Sequence, residues 1–222
     1  MSKVIPGKQQ RRQLRKAAAG NPGRHTSNFF GGVMATKKKQ MDNAGKLPFS
    51  ALHEIALKEA RKIHREKVEH AAVIDEMGNV TRIVGNGDEV GILPHLVSSA
   101  RIIIHNHPHD FKEPSSFSGD DVYNLLHYNL DEIIVCGYGC YFYMRKGTCI
   151  LRSMNVRSDL NRIYKQIDSE MKKVYLPGNR HTDTQSILKD YRTYKVKVES
   201  EYHKELRSYS QSKGLSYRRG KL

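Results

Sequence analysis

The run His105-Asn106-His107-Pro108 follows directly on the β-branched stretch Arg101-Ile102-Ile103-Ile104, and a Ser-x-x-Asp, Ser118-Gly119-Asp120-Asp121, comes shortly after it. Side chains alternate along a strand, so His105 and His107 at a strand's end point the same way. Pro108 lacks an N–H and restricts the residue before it, so the chain leaves the strand abruptly. Asp121 lies one turn inside the helix that Ser118 opens, where its carboxylate can reach back over the end of the sheet. Two imidazoles and a carboxylate make three ligands and leave a fourth position for water. Catalytic zinc sites have that form, whereas structural zinc is closed by four protein ligands. The chemistry indicated is hydrolysis assisted by Zn2+ on His105, His107 and Asp121, with the pKa of the water lowered towards 7.

Ser118 and Asp121 also read as a plain helix cap, which accounts for a Ser and an Asp at this spacing. It does not account for His-x-His-Pro at the end of an apolar strand just upstream. His109 and Asp110 are rival ligands, disfavoured by strand alternation. Cys136, Cys140 and Cys149 do not have zinc spacing and read as small buried hydrophobes. Gly85-Asn86-Gly87-Asp88 reads as a turn, since it matches no phosphate-binding loop.

The elements that must position these residues follow from hydrophobic periodicity. Leu52, Ile55, Ala56, Ala60 and Ile63 form one stripe of a helix over 51–65, with Ser50 as its N-cap. Residues 68–75 and 80–84 read as a hairpin turning at Met77-Gly78-Asn79. A short helix over 92–98 leads into the 102–104 strand, and a polar loop over 109–117 leads to the Ser118 helix. Strands follow at 132–136 and 140–144. From Ser158 the chain is helical, with Leu160, Ile163, Ile167 and Met171 on one stripe. A second helix from Asp183 towards Ser208 is so rich in charge and tyrosine that it packs along a narrow face or against a partner. Its tyrosines, continuing to Tyr217, suit packing on a helix or stacking on bases. The expected fold class is α+β, a mixed sheet flanked by helices.

Charge divides the chain. Residues 1–41 carry ten Lys or Arg and no Asp or Glu, residues 49–152 eleven basic and fourteen acidic, and residues 195–222 eight basic and three acidic. The section with the histidines is therefore not a basic nucleic-acid reader; its ends are the basic parts. The expected organisation is a basic flexible arm over 1–48, a metallohydrolase domain over 49–152 and a charged helical extension over 153–222. Nucleic acid or an acidic partner is the expected contact of the basic ends. No apolar run approaches the roughly 20 residues of a membrane span. The basic N-terminus has no apolar stretch after it, so no secretory signal is read there. Three cysteines make no disulfide framework and fit a reduced, intracellular setting.

Together, His105-Asn106-His107-Pro108 and Ser118-Gly119-Asp120-Asp121 resemble the JAMM motif, His-x-His-Pro-x(n)-Ser-x-x-Asp, of the MPN+ zinc metalloproteases. The His-Asn-His-Pro form is similar to bacterial RadC-like proteins and to JAMM domains of phage head and tail proteins. The resemblance spans roughly residues 49–150. It implies an MPN fold, zinc on His105, His107 and Asp121, and Ser118 as a hydrogen-bond donor to the tetrahedral intermediate. It also implies a glutamate on the first strand as general base. Glu69 is the choice, opening the first expected strand, and Glu66 is the alternative at the same boundary. The implied reaction is hydrolysis of a peptide or isopeptide bond in a protein substrate. Ubiquitin-like conjugates or phage-assembly proteins are the substrates implied, in the cytoplasm or a virion. One departure is the nine-residue loop 109–117, longer than the commonest family spacing, for which Phe117 is the expected anchor. The rival class is a non-catalytic assembly or nucleic-acid-associated scaffold using the same fold and its basic ends.

Overall fold

Alternation along the central strands decides the architecture. In the computed structural model, which describes residues 45–86, 90–108, 115–128, 130–147, 155–176 and 184–222, Ile102 and Ile104 pack on one side of the sheet and Ile103 on the other. The Ile102–Ile104 face is covered by helix α1 (Phe49–Ile63), whose Leu52, Ala56, Ala60 and Ile63 bury against Ala72, Ile74 and Ile134. The opposite face is covered by α2 (Pro94–Ser99), α3 (Gly119–His127), α4 (Val156–Tyr175) and α5 (Thr184–Ser212). The fold is α+β, with helices on both faces of one sheet.

The sheet comprises β1 (His70–Asp75), β2 (Val80–Val84), β3 (Ala100–Asn106), β4 (Glu132–Gly137), β5 (Cys140–Lys146) and β6 (Leu215–Lys221). Their order is β2-β1-β3-β4-β5-β6, with β3 and β4 parallel and the other pairs antiparallel. The expected β1–β2 hairpin forms. Asp75 Oδ1 accepts the backbone N–H groups of Met77 and Asn79, and Gly78 takes φ +84°, a conformation that glycine adopts without strain. Antiparallel pairing of β1 with β3 sets Ala71 opposite His105. Continuing that register brings Glu69, just before β1, opposite His107.

Three expectations shift. The first helix starts at Phe49 rather than after Ser50, because Pro48 stands at its N-cap in an extended conformation, with no side-chain cap. The first strand starts at His70, so Glu69 precedes it instead of opening it. Leu215–Lys221, with no strand pattern strong enough to read in advance, forms β6 on the free edge of β5. The charged helix near the C-terminus runs unbroken as α5 and packs along a narrow face, burying Tyr194, Val198, Tyr202 and Leu206. Cys136 and Cys140 are buried, as small hydrophobes are. Residues 1–44 of the expected arm, the rival ligands His109 and Asp110, and Cys149 lie outside the described residues. Among the described residues no helix is long and apolar enough to cross a membrane.

Candidate metal centre

The strand end delivers the two histidines as alternation requires. His105 is the penultimate residue of β3, and His107 follows it with its N–H donated to Cys136 O at 3.0 Å, which keeps the strand's course beyond its last residue. Their Nε2 atoms lie 3.1 Å apart. His107 Nδ1 faces Ser115 O at 3.3 Å, so the Nδ1–H tautomer leaves the Nε2 lone pair for the site.

Asp121 arrives from the first turn of α3. Ser118 Oγ accepts the Asp121 N–H at 3.2 Å, while the Asp121 carboxylate takes the Ser118 N–H at 2.7 Å, a complete capping box. The Ser118 hydroxyl also donates to Asp121 Oδ2 at 2.7 Å. With Oδ2 held by Ser118, Oδ1 is the atom aimed at His105, 3.2 Å from Nε2. Cap and site are thus one arrangement. The hydroxyl of Ser118 thus both accepts from and donates to Asp121.

Glu69 comes from the other side, its Oε1 3.8 Å from His105 Nε2. Glu69, His105 and His107 each offer a ligand atom, all within 4.8 Å of one another, and the group can hold a metal ion. Glu66 is exposed. Between the histidines, fully buried Asn106 ties down the segment that carries Glu69, a role with no signal in the motif itself.

The site is buried: Glu69, His105 and Asp121 are each less than a tenth exposed. Burial alone would raise the Asp121 carboxyl, but His105, His107 and the Ser118 hydrogen bond hold it well below the usual range. Burial alone would lower His105, yet the Asp121 and Glu69 carboxylates hold it above its ordinary value. Ligands about 2.05 Å from a tetrahedral cation sit about 3.3 Å from one another. The 3.1 Å between the His105 and His107 Nε2 atoms matches that, and the group able to hold an ion is Glu69, His105 and His107; Asp121, 3.2 Å from His105 Nε2, is not one of that group.

Beside the cluster opens a cavity of about 410 Å³, walled by His107, Ser118, Asn161, Tyr164, Glu199 and Tyr202 among others. Its far residues come from α4 and α5, which pack with α3 around Phe117, the fully buried anchor before Ser118. Tyr202 Oη donates to Phe117 O at 3.0 Å, tying α5 to the loop that leads into the site. Tyr194 and Tyr202 are buried in the core, which removes them from base stacking. No protein-family model matches the chain, and no curated protein matches it.

Proposed function

We propose that this protein is a zinc-dependent hydrolase of peptide or isopeptide bonds, built on an MPN-type domain with a JAMM-type site. The observation that carries the reading is the grouping of His107, Asp121 and Glu69 about His105. His107 Nε2 and Asp121 Oδ1 stand 3.1 and 3.2 Å from His105 Nε2, and Glu69 Oε1 stands farther out at 3.8 Å. His105, His107 and Asp121 would hold the ion. When bound, zinc polarises a carbonyl oxygen and lowers the pKa of water at its open position.

The chain's own residues do the rest. Glu69, buried at the edge of the cluster, takes a proton from the attacking water at Oε1 and returns it to the leaving nitrogen. Asn106 fixes the main chain around Glu69, which keeps that oxygen in reach. Ser118 aims the Asp121 carboxylate, and Ser115 O selects the His107 tautomer. The cavity beside His107 admits the substrate. A protein is the substrate class, ubiquitin-like conjugates or phage-assembly proteins included, with the basic ends as contacts for nucleic acid or an acidic partner.

The test is zinc content with activity on the full chain. The expected result is about one zinc per chain, lost in Asp121→Ala and kept in Glu69→Gln, with hydrolysis of peptide and isopeptide substrates abolished in both. A wild-type chain that takes up no zinc at neutral pH overturns the reading. A scaffold would bind its partner equally well with Glu69→Gln.

A further inference from the structure

The sheet is covered unevenly on its α1 side. Helix α1 packs on β1, β3 and β4, and Phe49, His53, Leu57 and Arg61 recur every four residues along one flank of it. That flank borders β5. The His53 and Tyr143 rings meet edge to face with centroids 5.7 Å apart, and one turn past Arg61 the His64 Nδ1 accepts the Gly139 N–H at 3.0 Å. Helix α5 packs on β6 from the opposite side, so among the described residues no helix lies over the α1 side of β6. Antiparallel register sets Gly220, Arg218 and Ser216 of β6 across from Tyr141, Tyr143 and Arg145 of β5 on this open side. Ser216 and Arg218 are exposed and both tyrosines half-buried, so part of each ring meets solvent.

Rings and charge together define what this side can bind. The Tyr141 and Tyr143 rings stand 6.3 Å apart and within 21° of parallel. Tyr141 lies across Gly220, where an added Cβ would stand 2.3 to 2.5 Å from its ring carbons and hydroxyl. Strands β5 and β6 carry Arg145, Lys146, Arg218, Arg219 and Lys221 and no carboxylate at all. Arg145 is matched by buried Glu132, and Arg219 turns to the Phe142 ring on the opposite side. On the tyrosine side the exposed charges of these strands and of the α1 flank are Arg218 and Arg61, both positive. An acidic peptide would satisfy the arginines but has no base to lay on the rings, and a duplex keeps its bases stacked inside. A single strand offers phosphates and open base faces together.

We propose that the open side of β5 and β6 binds single-stranded nucleic acid, with bases against Tyr141 and Tyr143 and phosphates on Arg218 and Arg61. This binding is independent of hydrolysis. It rests on the nucleic-acid contact proposed for the basic ends and assigns that contact to named residues.

The experiment measures binding of a fluorescein-labelled oligothymidylate of about 12 nucleotides to the full chain by fluorescence anisotropy, from about 50 to 200 mM salt. The wild-type chain is expected to bind, more weakly as salt rises. Tyr141→Leu should weaken binding about tenfold and Tyr141→Phe should not, because stacking needs the ring alone. Arg218→Gln should reduce the slope of log affinity against log salt by about 0.7, the share of one phosphate contact on a single strand. Arg218 is exposed, so this variant keeps the fold whatever Tyr141→Leu does to it. Lys221→Gln makes the same charge change on the opposite side of β6, across from buried Cys140, and should keep the wild-type slope. An equal loss of slope in Lys221→Gln overturns the proposal. Binding that survives in both Tyr141→Leu and Arg218→Gln overturns this face and leaves the nucleic-acid contact of the basic ends standing. No binding by the wild-type chain overturns both. A duplex bound as tightly as the single strand also overturns the proposal, and oligoglutamate bound as tightly overturns it in favour of an acidic partner.

Discussion

Asn106 Oδ1 accepts the backbone N–H of His70 at 2.6 Å, and the same side chain donates through Nδ2 to the carbonyls of Glu66 and Val68 at 3.2 and 3.1 Å. The residue between the two histidines thus clamps the main chain on both sides of Glu69. All three bonds are made by a fully buried amide, where an orphaned backbone group costs about 1–3 kcal/mol. Asn106→Ala is expected to lose about 3 kcal/mol of stability. With zinc still bound, kcat should fall by about tenfold or more as Glu69 drifts. Urea denaturation, zinc content and kcat measured together check this. A normal kcat at full zinc occupancy would show that Asn106 supports the fold alone.

Ser118 connects helix capping to ligand orientation. Replacing it by alanine removes the acceptor for the Asp121 N–H and the hydroxyl that holds Oδ2. The lost cap costs about 1 kcal/mol. Losing a group that orients a ligand weakens metal binding by about 10- to 100-fold. Ser118→Thr keeps both bonds and should keep both properties. Competition with a chromogenic chelator measures the zinc affinity. An unchanged affinity in Ser118→Ala would reduce the residue to a cap.

The order of elements from Phe49 to Lys146 was legible because periodicity changes cleanly along it. Leu52, Ala56, Ala60 and Ile63 keep the helical stripe, Ile102 to Ile104 the buried strand, and Met77-Gly78-Asn79 the turn. His105, His107, Ser118 and Asp121 were legible because their spacing is local, within one strand end and one helix start. β6 was not. An edge strand has a neighbour on one side only, and Leu215–Lys221 is mostly charged or polar, as edges are when they resist further pairing. Asn106 was hidden because its partners are main-chain atoms 36–40 residues earlier, and no side-chain pattern marks such a bond. Glu199 and Tyr164 come from separate helices, and only packing brings them to one cavity.

Arg145 is expected to matter for stability out of proportion to its surface position. It donates to Glu132, a fully buried carboxylate that also pairs with His53 Nδ1 at 2.8 Å, and so ties β4 and β5 to α1. Its guanidinium stands 4.6 Å from the Phe49 ring centroid and 4.4 Å from that of Tyr143. Arg145→Met leaves Glu132 buried with His53 as its remaining partner, a change that costs about 3 kcal/mol. Adding Glu132→Gln should recover part of that loss, since the buried charge is then gone. Urea midpoints of the two single variants and the double variant give the coupling. Additive losses would mean that the two side chains act independently.

His203 makes the stability of the fold sensitive to mild acid. It stacks on Phe142, ring centroids 4.5 Å apart, with Nδ1 2.8 Å from the Tyr217 hydroxyl. Its Nε2 is buried with no hydrogen-bond partner, so an added proton there would have nothing to bind. Burial, with the Arg219 charge adding to it, lowers its pKa to about 4. The unfolded chain takes up this proton near pH 6.5, well before the folded chain does. The folded state therefore binds fewer protons below that pH, and stability falls between about pH 6.5 and pH 4. By pH 5 this one group removes about 2 kcal/mol relative to pH 7.5. His203→Phe keeps the ring contact with Phe142 and removes the titration. In urea denaturation with chelator present at both pH values, the variant should lose about 2 kcal/mol less than the wild-type chain on going to pH 5. Equal losses would place the acid sensitivity elsewhere in the molecule.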